Sequence, residues 1–435
     1  MSATSIEPVA GAARTHRYWE NRILISTIVG YALFYFVRKN LSVAMPAMEH
    51  DLGISKSQLG LFLTMHGVLY GVSRFANGFL ADQVSARWMM PAGLTLCALM
   101  NFGFGTSAAV MSFGLFWLLN GWFQGMGFPP CARLMTHWFP PRILATKMSI
   151  WNSSHSLGAS FVVVLCGYLV TRDWRLCFHV PGAMALVGAV LLFAVLRDTP
   201  ESMGLPPTEG TAEVAGAGGR ERGMWQLVFR NPYIWLLSFA NFFVYTVRYG
   251  ILDWGPTFLK QARHIDITKA SWMVAAFEIA GILGMLTSGY LTDRVFGGRG
   301  ARACLVYMGL CGGALVLFWS LPGAPVAVSA ALLCTAGFFI YGPQSMIGIA
   351  AANLATKRAA ATATGLTGLF GYFSTVMSGV GIGSLVQSRG WDAGFMMFIG
   401  SAAVGAVLFA MCWPARAHGY AADGGPGETK PAHLE

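Results

Sequence analysis

The chain has 435 residues, 55% hydrophobic and only 11% charged, where an ordinary soluble domain carries about 25% charged residues; that balance excludes a soluble globular protein. The net charge of +10 would suit nucleic acid, but the basic residues are scattered between apolar runs and not gathered on one polar face, which excludes that partner.

In chain order, the first 20 residues, MSATSIEPVAGAARTHRYWE, are polar and hold no apolar core of a cleavable signal, so the first span is expected to act as an uncleaved anchor. Apolar windows punctuated by Gly, Pro and charge predict helices over 22–46, 57–81, 89–108, 112–138, 147–170 and 176–196. A polar stretch rich in Gly, Pro and charge follows, RDTPESMGLPPTEGTAEVAGAGGRERGMWQ, and reads as a linker. Six more helices are predicted over 231–258, 269–292, 302–321, 325–350, 361–386 and 392–413. Each is long enough to cross a hydrocarbon core of about 30 Å. The expectation is an all-α membrane protein of twelve transmembrane helices in two pseudo-symmetric six-helix bundles: 1–197, a cytoplasmic linker over 198–230, 231–413, and a cytoplasmic tail over 414–435.

Lys and Arg set the orientation. With both termini cytoplasmic, the inner segments carry 17 of the 29 and the outer segments 7. The other five, Arg38, Lys39, Arg74, Arg133 and Arg248, fall within or at the ends of helices.

The two halves repeat. GFLADQVSARW after the second helix matches GYLTDRVFGGRGAR after the eighth, with Asp82 and Asp293 each four residues past a glycine. Gly78 and Gly289 are 211 residues apart, and Arg38 of YFVRKN and Arg248 of VYTVRYG are 210 apart. Parallel six-helix repeats with a site between them suit secondary transport, because one half can rock against the other. The Asp82 and Asp293 loops resemble the cytoplasmic signature of the major facilitator superfamily, and are expected to gate the inner face.

Charges inside a span are functional candidates, since an arginine near the bilayer centre costs at least about 2.5 kcal/mol. Arg38 lies roughly 24 Å along the first helix from Arg22, past the middle but short of the outer end. Tyr31, Tyr35 and Arg38 share one stripe at i, i+4, i+7, and Tyr245 with Arg248 repeats the pairing on the seventh helix. Two planar guanidiniums from opposite halves would suit a doubly charged tetrahedral oxyanion, which Arg grips bidentately. Lys39, turned away from Arg38 on the helix, reads equally as a snorkelling side chain or as part of the site. His155 and Asn152 lie at i, i+3 on the fifth helix, and Gln124 is a candidate polar liner of the fourth, where Pro129 and Pro130 predict a kink. Arg74 and His66 on the second helix are open to both readings, whereas Arg133 and His137 read as structural. Asp253 and Glu278 are the embedded acids of the second half, expected to bridge to Arg248, Lys260 or Lys39 as the halves rearrange; as proton carriers they would instead suit a proton-coupled exporter. The eight cysteines form no CxxC pair, give no metal pattern and read as packing residues. With no HExxH, G-x-S-x-G or P-loop, neither an enzyme nor a cofactor is expected, and ATP-driven transport is excluded.

The runs YFVRKNLSVAMP, GWFQGMGFPPC, WNSSHSLG, LRDTPESMGLPP, VYTVRYGILDWGPTFLK, FIYGPQSMIG and ATGLTGLFGYF resemble the organophosphate:phosphate antiporters over roughly residues 18 to 413. That resemblance implies a substrate site of Arg38, Arg248 and His155, with Lys39, Arg74, Tyr35, Gln124, Asn152, Tyr245, Tyr341 and Tyr372 carried over by the same motifs. It implies a monomer in the bacterial inner membrane, surrounded by lipid, exchanging an organophosphate for inorganic phosphate. Phe128 stands where glycerol-3-phosphate members carry tryptophan, and GLFGYFSTVMSGVGIG lacks the acid and lysine that hexose-6-phosphate members carry in the eleventh helix. RNPYIWLLSF and GPQSMIGIAAAN look closer to a sensor-like branch, for which the alternative is a hexose-phosphate sensor signalling to a histidine kinase.

Overall fold

In the computed structural model, residues 7–208, 228–355 and 360–415 are described, and among them every regular element is helical. The first span is α1 (Glu7–Lys39) continued by α2 (Leu41–Leu52), and the second and third are α3 (Lys56–Gln83) and α4 (Ala86–Thr106). The fourth is split into α5 (Val110–Gln124) and α6 (Phe128–Trp138), and the fifth into α7 (Pro141–Asn152) and α8 (Ser154–Leu169); α9 (Leu176–Val195) is the sixth. The second half has α10 (Pro232–Ala262), α11 (Ile267–Arg294), α12 (Gly300–Ser320) and α13 (Val326–Leu354). Its eleventh span is α14 (Ala360–Thr375), a π turn (Val376–Gly381) and the start of α15 (Ile382–Met411). The last helix reverses at Gly390, whose φ of 81° is strained for any residue with a Cβ, and so also forms the twelfth span.

Sequence punctuation located the spans but not every break within them. In the fourth span the helix breaks before the prolines, which then sit in the first turn of α6, where a missing N–H leaves no gap. The break at Ser153 and the π turn carry no Pro and went unread.

Packing repeats between the halves. In the first, α1 packs on α8, α3 on α5 and α4 on α9; in the second, the equivalent pairs α10 and α14, α11 and α13, α12 and α15 are in contact. The halves meet through α8 against α11, α3 against the π turn and α15, and α2 against α10. These contacts run from mid-span to one end of the bundle: Glu49 accepts from Lys56 and, at 2.7 Å, from Gln261, Lys56 N–H donates to Gln387 at 3.0 Å, and Thr268 donates to the Gly167 carbonyl at 2.9 Å. Seven of the eight cysteines are buried, Cys334 is partly so, and all are free thiols.

Candidate functional site

Arg38 is positioned by a defect in its own helix. Val37 leaves helical geometry (φ −96°, ψ 17°), and the chain restarts at Leu41. Such a break frees backbone carbonyls in a medium with no water to take them. Buried amides take them instead: Asn101 and Asn120 donate to the Val37 carbonyl at 3.1 and 2.8 Å, and Gln124 donates to that of Phe34 at 2.9 Å. Asn40 ties the restart to Asn101 and to the Cys177 carbonyl, both at 2.8 Å. Gln124 thus has its N–H group committed to bracing the kink that carries Arg38.

The two arginines face one another across a row of rings. The Arg38 guanidinium lies 5.3 Å from the Tyr35 ring centre and 4.1 Å from that of Tyr70. Tyr35 is 5.8 Å from the His155 ring, and His155 is 6.3 Å from Tyr341. Tyr341 is in turn 4.5 Å from the Arg248 guanidinium, which also lies 5.4 Å from Tyr249 and 5.9 Å from Tyr245. Arg38 and Arg248 are 7% and 2% exposed, so both charges sit where solvent screening is weak.

Two acids accompany them. Lys39 Nζ meets Asp253 Oδ1 at 2.5 Å, joining the halves, and its ammonium rests 4.9 Å over Tyr249. Arg248 Nη2 is 3.6 Å from Glu278 Oε1, an oxygen that also accepts from the Tyr341 hydroxyl. On the opposite side Arg74 donates to the Tyr372 hydroxyl and lies 3.6 Å over Phe128. Four cations against two carboxylates leave this region at +2. Several nitrogens in it, Arg248 Nε and Nη2 and His155 Nε2, are buried without a hydrogen-bond partner, an arrangement expensive enough to require a reason.

The remaining candidates are placed as follows. The Tyr31 hydroxyl is 3.5 Å from that of Tyr70, Asn152 donates to Met285 Sδ across the halves at 3.6 Å, and Gln344 donates to the Tyr245 hydroxyl at 3.4 Å. Arg133 donates to the Ala81 and Val84 carbonyls and so stands apart from the cluster, and His66 places Nδ1 3.3 Å from the Trp117 carbonyl oxygen with its ring tilted against that indole. The side chains of Asp82 and Asp293 lie outside the described residues. Sequence reading passed over Tyr70 and Tyr249. Both carried a signal, since Tyr70 stands four residues before Arg74 and Tyr249 four after Tyr245 on faces already marked by charge.

Residues 27–379 match the Major Facilitator Superfamily. The chain belongs to that superfamily. It is 37% identical to a probable hexose phosphate transport protein of Chlamydia pneumoniae, with 94% of each chain covered. It is also 37% identical to the glycerol-3-phosphate transporter of Bacillus subtilis (90% of this chain, 92% of that one) and 35% identical to the membrane sensor protein UhpC of Escherichia coli K12 (90% and 92%). Among solved structures, a bacterial homolog of the human lysosomal transporter Spinster, inward-facing and occupied, superposes with a TM-score of 0.75 over 92% of this chain and 97% of that one, at 15% identity. The resemblance to the organophosphate:phosphate antiporters therefore holds over nearly the whole chain, and this is a multi-pass membrane protein of a transporter superfamily, not an enzyme.

Proposed function

We propose that this protein carries an organophosphate, a sugar phosphate or glycerol 3-phosphate, in exchange for inorganic phosphate by alternating access. The observation that carries the reading is the excess of two positive charges between the halves, Arg74 half-buried and the other charged groups buried, with guanidinium nitrogens of Arg248 and a ring nitrogen of His155 left without hydrogen-bond partners. A phosphate dianion matches that charge and accepts from forked donors. Arg38 and Arg248 would grip it, His155 would donate a further hydrogen bond, and Tyr31, Tyr35, Tyr245, Tyr341, Tyr372, Lys39, Arg74, Gln124 and Asn152 would line or brace the site. Relatives named for hexose phosphate and glycerol-3-phosphate transport support the substrate class.

Exchange follows from electrostatics. Closing both mouths over two unneutralised charges is costly, whereas a bound dianion draws the halves together and lowers the barrier to rocking. A carrier that returns only when loaded exchanges one anion for another. In proteoliposomes, glucose 6-phosphate or glycerol 3-phosphate uptake is expected only into vesicles preloaded with phosphate. Equal uptake into unloaded vesicles would refute obligate exchange.

On this reading 1–197 and 231–413 are the moving halves of a monomer in a bacterial inner membrane, joined by 198–230, with both termini cytoplasmic as the excess of inner Lys and Arg supports. The ion pair of Lys39 with Asp253 would latch the outer mouth, and the inner loops with Asp82 and Asp293 would gate the other face. Asp253→Asn leaves the Lys39 ammonium buried and unpaired, which costs about 3–5 kcal/mol, so the outer-closed state is expected to lose most of its population. Adding Lys39→Met removes the orphan and is expected to restore part of it; a double-mutant cycle on thermal stability in lipid measures the coupling. The likeness to UhpC supports a second reading as a sensor of sugar phosphate signalling to a kinase, for which the same vesicles would show binding without flux.

A further inference from the structure

The outer seal between α3 and the eleventh span satisfies its backbone in an uncommon way. Val376–Gly381 form a π turn, in which the Ile382 N–H reaches back five residues to the Met377 carbonyl. Thr64, from the other half, inserts its hydroxyl into this turn. It accepts from the Val380 N–H at 2.9 Å and donates to the Thr375 carbonyl at 2.8 Å. Residues 380 and 375 are five apart, so these are the two groups that a π-type bond would join directly. One side-chain hydroxyl therefore stands between two main-chain groups of the opposite half.

The fit around it is tight. A Cβ at Gly379 would lie 2.4 Å from Thr64 Oγ1, one at Gly60 2.5 Å from the Gly379 carbonyl oxygen, and one at Gly67 2.4 Å from Thr375 Cγ2. A turn below Thr375, Tyr372 presents its hydroxyl to Arg74 and its ring to Tyr70 at 5.2 Å.

We propose that Thr64 is a removable wedge, a positioning residue that ties closure of the outer mouth to the shape of the eleventh helix and so to the placement of Tyr372. Within a membrane, backbone N–H and C=O groups must stay paired. When the outer mouth opens, α3 withdraws and takes the hydroxyl with it. Val380 N–H and Thr375 C=O, themselves an i to i+5 pair of the π turn, are then left to bond each other alone, so the eleventh helix has two satisfied states, wedged and unwedged. The passage between them alters the turn immediately above Tyr372, moving that ring relative to Arg74. This inference rests on alternating access and not on the nature of the substrate.

The test uses spin labels at Asp51→Cys and Arg389→Cys, both exposed and one on each half, with Cys334→Ser to remove the partly exposed thiol. Distances are measured in lipid nanodiscs without substrate. Thr64→Val keeps the shape and deletes both hydrogen bonds, so the outward-open population is expected to rise by roughly tenfold or more, as two modest hydrogen bonds imply. Thr64→Ser is expected to restore the original distribution. Thr64→Ala, which also deletes both hydrogen bonds and adds no atom to the tight seam, is expected to shift populations as Thr64→Val does, and it decides the matter should the valine variant fail to accumulate. An unchanged distribution in Thr64→Val, or a serine variant shifted as far as the valine one, overturns the proposal. The labels report the outer mouth alone, so failure of the organophosphate reading would leave this result standing.

Discussion

Arg248→Lys is expected to lower organophosphate uptake by about a hundredfold or more, close to 3 kcal/mol, while the protein still reaches the membrane in normal amounts. The guanidinium is buried on three sides by Tyr245, Tyr249 and Tyr341, and its Nε and Nη2 have no hydrogen-bond partner. A lysine there preserves the positive charge but replaces a rigid planar fork with one ammonium on a flexible stem. It cannot offer two parallel N–H groups to two phosphate oxygens, and it loses the stacking that holds the fork in place. If charge alone attracted the substrate, the lysine variant would transport at near wild-type rates, and the bidentate reading would fall. Arg38→Lys is expected to behave likewise, because its kinked helix and the Tyr35 and Tyr70 rings fix the guanidinium in the same manner. Uptake and phosphate counterflow in proteoliposomes, normalised to reconstituted protein, read both.

The second large effect concerns packing. Gly284→Val is expected to destabilise the second half by about 3 kcal/mol, at the upper end of what overpacking causes, and to abolish transport with it. Helices α11 and α13 touch backbone to backbone through reciprocal glycines. A Cβ at Gly284 would lie 1.7 Å from the Phe338 carbonyl oxygen, and one at Gly337 2.3 Å from that of Phe277. Neither obstacle is a flexible side chain that can swing aside. The same two helices carry Glu278 and Tyr341, whose hydrogen bond orients the acid beside Arg248. Gly281 lies under the Tyr341 ring, 2.4 Å from where its Cβ would fall. Forcing the helices apart therefore loosens the site as well as the fold. A thermal unfolding midpoint in lipid equal to that of wild type would show that the backbones can separate cheaply and would refute the argument.

How much of this was legible in the sequence differs by residue. Arg38 and Arg248 were found from sequence because a charge in an apolar run has few innocent explanations, and the 210-residue offset linked them across the halves. Tyr341 and Tyr372 came only through motif resemblance, since a tyrosine in a span is unremarkable until its neighbours are known. Gln124 shows the limit more sharply: sequence identified a polar residue in a helix, but the structure shows its N–H committed to the Phe34 carbonyl, freed by a kink that no proline announces. Thr64 carried no signal at all, because threonine is common in membrane helices and its partners lie more than 300 residues away.

The sequence by itself determined the solvent, the number of spans and the repeat, because hydropathy and charge act along the chain and a bilayer admits a single-chain segment of this kind only as a helix. Tertiary structure alone decided which donors and acceptors are shared. The row of rings from Arg38 to Arg248, the pairing of Lys39 with Asp253 and the seat of Thr64 in the π turn all join residues from opposite halves. Those distances are fixed by helix packing and not by spacing in sequence.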